Sequence, residues 1–142
     1  VPEFHLVGVS EFKDAIDAHI ARQMVATREA VAKGAHTIEA KAKDELATSS
    51  HPKGTPTPSQ PGEPPSLISG SLRRSVRVQG PTGDGKTFIA SVGPSMVYGR
   101  IQELGGTAGH GNRLPPRPYM KPAVEKSAAE LLALFREAWS TW

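Results

Sequence analysis

From Ser10 to Ala47, apolar or small side chains recur in steps of three and four: Phe12, Ile16, Ile20, Met24, Thr27, Val31, Ala35, Ile38, Ala42 and Leu46. Such steps hold one face of an α-helix. The spacing therefore predicts one long helix over 10–47, roughly 55 Å from end to end at 1.5 Å per residue. Ser10 is the expected N-cap, and Lys13 at the third helical position leaves the capping box incomplete. Gly34 is where the helix would kink or split in two. The stripe thins from Phe and Ile to Ala toward its C-terminal end. Small residues permit close helix approach but bury little area, so a helix this long with a weak far end is expected to pack against another subunit.

The next segment, 48–66, cannot be regular structure. Pro52, Pro56, Pro58, Pro61, Pro64 and Pro65 break helices and remove ladder donors. It is either a disordered surface loop or an arm that orders against a neighbour. Residues 66–76 read as a short helix or turn entering a strand. Alternating, β-branched patterns at Ser75–Gln79 and Thr87–Val92, joined by Gly80–Lys86, predict a hairpin. A helical turn over Tyr98–Leu104 closes at Gly105 and Gly106, and 107–114 is a loop. The last helix, about 121–139, has Pro122 in its first turn, where a missing N–H does no harm. Its apolar face is read as Val124, Ala128, Leu131, Leu132, Phe135 and Trp139. The expected fold is a single α+β domain over 1–142. Its two major helices pack on a small, mostly antiparallel sheet, and the middle segment is proline-rich.

Hydrophobic residues make up 37% of the chain and aromatics 6%. The core should be modest, with part of the stability supplied by neighbours in an assembly. There is no cysteine, which excludes disulfides and thiolate metal sites. No stretch approaches a membrane span, and the first twelve residues lack the basic cluster and apolar run of a secretory signal. Charge is uneven: six basic and eight acidic side chains in 1–47, eleven and six in 48–142. Arg73, Arg74, Arg77, Lys86, Arg100, Arg113, Arg117 and Lys121 dominate the basic part. They suit phosphate contact in a channel, or solubility and ion pairs to the acidic first helix. No helix-turn-helix, zinc finger or aromatic stacking platform accompanies them, which argues against sequence-specific DNA readout.

The segment 80–87, GPTGDGKT, meets the phosphate-loop spacing through Gly80, Gly85, Lys86 and Thr87. That chemistry needs a strand before the loop and a helix N-terminus after it. Here a strand pattern follows and ends at Gly93-Pro94, and no apolar strand ending in Asp is present to hold magnesium. The match is therefore expected to be fortuitous, a turn between two strands, with no nucleotide cofactor. The histidines, His5, His19, His36, His51 and His110, have no metal-ligand spacing. No nucleophile elbow occurs, so catalytic residues and enzymatic activity are not expected.

Pro116 and Pro118 hold the approach to the last helix extended. Arg117 between them can reach a carboxylate such as Glu103 or a backbone carbonyl, while Tyr119 and Met120 can enter the core.

Three groups of residues, in order, carry a resemblance. They are Ser69, Gly70, Leu72, Ser75 and Val76; then Tyr98, Glu103 and Gly105; then Pro116, Arg117, Pro118, Tyr119, Met120, Pro122 and Ala123. With a long helix before them and a helix after, the chain resembles the head–tail joining or tail-completion ("neck") proteins of long-tailed phages over most of 10–140. The insert at 49–65 and the run Thr107–Arg113 depart from that pattern. The resemblance implies a non-catalytic virion protein, assembled in the host cytoplasm. It would form a ring, hexameric to match the tail, between the portal or connector complex and the tail, with genomic DNA in the lumen. Implied partners are other copies of the chain, connector or stopper proteins, and tail terminator or tail-tube proteins. Arg73, Arg74 and Arg77, or the loop 49–65, would face a neighbouring ring or DNA. Alternatives are a tail terminator capping the tube, a small nucleotide-binding enzyme using Lys86, and a general DNA-binding module.

Overall fold

The computed structural model describes residues 1–3 and 5–140. It is an α+β fold with a long N-terminal helix, a C-terminal helix and a small antiparallel sheet. Helix α1 runs Val9–Glu45 without interruption. The short α2, Ser71–Ser75, leads directly into β1, Val76–Gly83, which pairs antiparallel with β2, Phe88–Pro94. A one-and-a-half-turn helix α3, Gly99–Leu104, follows. The predicted loop 107–114 instead holds a minimal hairpin, β3 (Gly106–Thr107) with β4 (Arg113–Leu114). Helix α4 spans Met120–Trp139.

Two details of α1 differ from expectation. The helix is entered through Gly8 at φ 86°, so it starts one residue before Ser10. The Ser10 hydroxyl donates to the Glu11 carboxylate instead of capping the helix. Gly34 neither kinks nor splits the helix, and it is a contact point. A Cβ placed there would lie 2.5 Å from Leu131 Cδ2, so the absence of a side chain lets α4 come close.

Helix α4 lies antiparallel along the C-terminal half of α1. Trp139 Nε1 donates to Thr27 Oγ1 at 3.0 Å, Leu131 meets Gly34, Lys41 pairs with Glu130 at 3.1 Å, and Lys126 pairs with Glu45. The predicted inward face of α4 holds at Leu131 and Phe135, which are half-buried, and is otherwise rotated. Ala123 and Ser127 are the buried positions, whereas Val124, Ala128, Leu132 and Trp139 are exposed. The cause is volume: against the Ala30, Gly34, Ala35 and Ala42 face of α1, only small side chains allow close helix packing. The Ser127 hydroxyl is satisfied by the Ala123 carbonyl at 2.7 Å. Ala42, Leu46, Val76, Tyr119 and Ala123 form the core, with Leu72, Val92 and Met120 packed against it.

The weak and strong ends of α1 are thus the reverse of what the thinning stripe suggests. The small-residue end is the buried one. From Val9 to Arg22 every residue except His19 is exposed. Phe12 is 67% accessible, Ile16 42% and Ile20 50%. These positions continue the α1 face that α4 covers further along, but α4 stops beside Thr27.

Candidate functional site: a helix-entry joint and an exposed helix face

The turn from α3 to α4 gathers the residues Tyr98, Glu103, Gly105, Pro116, Arg117, Pro118, Tyr119 and Pro122 into one joint. The Glu103 carboxylate accepts the N–H groups of Tyr119 at 2.7 Å, Met120 at 2.9 Å and Lys121 at 3.0 Å. The next residue, Pro122, has no N–H to satisfy. The orphan donors of the first turn are therefore accounted for by a carboxylate from another element, in the place where a helix dipole favours negative charge. Gly105 ends α3 at φ 69°, and a Cβ there would lie 2.8 Å from both the Leu114 carbonyl oxygen and the Pro116 nitrogen. Only glycine fits this crossing.

Tyr119 is fully buried and its hydroxyl donates to the Gly99 carbonyl at 3.2 Å. Burial, with the nearby Glu103 charge second, pushes its phenol well above the usual tyrosine range. Tyr98 is exposed at the start of α3.

Arg117 does not reach Glu103, whose oxygens are occupied by the helix amides. Its N–H donates to the Gln102 carbonyl at 2.7 Å, and its Nε donates to the Ser59 carbonyl at 3.0 Å. The second alternative, a backbone carbonyl, is the one realised. The proline-rich segment is thereby pinned to the joint, helped by Gly62 N–H to the Pro116 carbonyl at 2.9 Å. Its base is closed by Leu67 N–H to Ser49 and His51 N–H to Leu67. Sequence reasoning missed this tie because it links residues far apart in the chain.

The three arginines separate. Arg73 Nε donates to the Lys43 carbonyl at 3.0 Å, a cation at the C-terminal end of α1. Arg74 bonds locally to the Ser69 carbonyl and Ser71 Oγ. Arg77 is exposed on β1. The anticipated ion pairs with α1 come from Lys126 and Glu130 of α4, not from these arginines.

At 80–87 the loop joins two strands. The Asp84 carboxylate accepts the N–H groups of Lys86 and Thr87, each at 2.9 Å. Those bonds hold the Asp84 carboxyl below its usual range. A carboxylate thus sits on the amides that a phosphate would need. Gly80, at φ 94°, marks the register shift between Gln79 and Thr82, and a Cβ there would lie 2.7 Å from the Ile89 carbonyl oxygen. Gly85 has φ 88° in the turn. Both glycines are explained by strand geometry.

Phe12, Ile16 and Ile20 on α1 and Val124, Ala128 and Leu132 on α4 are exposed. No family model matches the chain, and neither a curated protein nor a solved structure matches it.

Proposed function

We propose that this chain is a structural subunit of a homo-oligomeric ring, hexameric, at the head–tail junction of a long-tailed phage. One observation carries the proposal: among the described residues, none covers the large apolar side chains at the free end of α1. A contiguous exposed face of that kind marks an interaction surface. The occupant is a second copy. Its outer α4 face, Val124, Ala128 and Leu132, is the complementary apolar strip. Pairing two different patches head to tail generates a ring when the rotation between subunits closes, whereas self-pairing of one patch gives a dimer and leaves the other exposed.

The location rests on the neck-protein resemblance. In support of it, the residues that carry the resemblance, Glu103, Gly105 and Pro116 to Tyr119, meet in one hydrogen-bonded joint. A structural role also agrees with an 80–87 turn whose amides are already taken. Arg74, Arg77 and Lys86 are exposed and are the cations this reading leaves for DNA or an adjoining ring.

Cryo-electron microscopy of the particle encoded with this chain tests the placement. A six-fold ring of this fold between portal and tail is expected. Direct contact with the last ring of tube protein would assign it as the tail terminator instead, and absence from the particle contradicts the proposal.

A further inference from the structure

Between the proline-rich loop, α2 and α3 lies a cleft of about 670 Å³, within the ~300–1,000 Å³ typical of ligand sites. Leu46, Leu67 and Leu72 form its apolar wall, and Lys53, Arg73 and Arg117 its polar part. No Asp or Glu lines it. Among the described residues none of these three cations takes part in an ion pair. Arg117 is only 7% accessible. Its guanidinium makes one hydrogen bond among the described residues, from Nε to Ser59, which leaves both Nη groups without an acceptor among those residues. A carboxylate that completes its fork of donors is the natural complement of such a guanidinium. Arg73 is held in place through the Lys43 carbonyl and presents a second cation to the same space.

We propose that this cleft binds a peptide segment in which a carboxylate adjoins apolar side chains, contributed by a partner protein. The carboxylate sits between Arg117 and Arg73, and its apolar neighbours lie against Leu46, Leu67 and Leu72. The apolar wall disfavours a bare polyanion such as a nucleic-acid backbone, which would have to leave water along one whole side. The site stands independently of where the ring sits, since it lies within one subunit.

A random heptapeptide library selected on the immobilised full chain tests the assignment. Recovered sequences should place Asp or Glu next to apolar residues. Exchanging that acid for its amide should weaken binding at least tenfold by fluorescence anisotropy. Arg117→Met and Arg73→Met should each lose at least tenfold in affinity. Lys53 is exposed, so Lys53→Met keeps the fold and should lose severalfold, which covers the case in which an arginine variant misfolds by circular dichroism. No acid enrichment, an empty selection, binding unchanged in Lys53→Met and Arg73→Met, or inorganic phosphate competing as well as the peptide would each overturn the proposal.

Discussion

Glu103 Oε2 lies 2.7 Å from the amide nitrogen of Tyr119, and the same carboxylate also holds the amides of Met120 and Lys121. One side chain of α3 thus starts α4 and fixes the angle at which it enters. Glu103→Ala should cost about 2 kcal/mol, the upper range for loss of a helix cap. Glu103→Gln, which keeps one acceptor oxygen, should cost about half as much. Urea denaturation of the two variants checks the order, and equal losses would place the stabilisation elsewhere.

The buried Tyr119 phenol titrates above the normal tyrosine range because burial disfavours its anion. Its protonated form is therefore bound more tightly by the folded chain than by the unfolded one. That contribution is complete below the unfolded tyrosine pKa of about 10 and is lost as pH rises through the folded value. Stability should fall with pH above about 10, and this slope should vanish in Tyr119→Phe. Tyrosinate absorbance should show Tyr119 ionising only with unfolding. Tyr119→Phe should itself cost about 1 kcal/mol through the lost bond to Gly99.

The length of α1, the hairpin and the helical turn at α3 are legible in the sequence because each depends on local periodicity and turn residues. The inward face of α4 is legible only at Leu131 and Phe135. Val124 and Leu132 are the more apolar positions, yet close approach to Gly34 and Ala42 selects Ala123 and Ser127. The Glu103 cap and the Arg117 tie to Ser59 are likewise invisible to pattern, since each joins residues 16 and 58 apart, respectively. The glycines at 80 and 85 match a phosphate-loop spacing because a bulge and a tight turn need the same conformational freedom.

Gly34 divides two opposing effects. Gly34→Ala gains about 1 kcal/mol of helix propensity, but its Cβ must displace the end of the Leu131 side chain, 2.5 Å away. The net change should lie near zero. Gly34→Leu cannot be relieved by one rotamer and should cost about 1–3 kcal/mol by overpacking. Thermal unfolding of both variants distinguishes contact from mere helix propensity, which would make both stabilising.

Asp84 organises the 80–87 turn through the amides of Lys86 and Thr87. Its carboxyl should titrate below the usual value of about 3.9 by carbon-13 NMR. The turn should be held above that unfolded value and loosen as pH falls through the lowered one. In Asp84→Ala the Lys86 and Thr87 amides should lose protection from hydrogen exchange, and Lys86→Ala should leave it intact.

The chain contains no cysteine, so disulfide trapping can report the ring contact without background. Ile16→Cys and Leu132→Cys are exposed substitutions, each expected to change subunit stability by less than about 0.5 kcal/mol. Under oxidation each single variant should stay monomeric on non-reducing gels. The double variant should give a ladder ending at a closed hexamer, and Ile20→Glu in the same chain should abolish it. A dimer from Ile16→Cys alone, or no ladder from the pair at high protein concentration, would contradict head-to-tail assembly through α1 and α4.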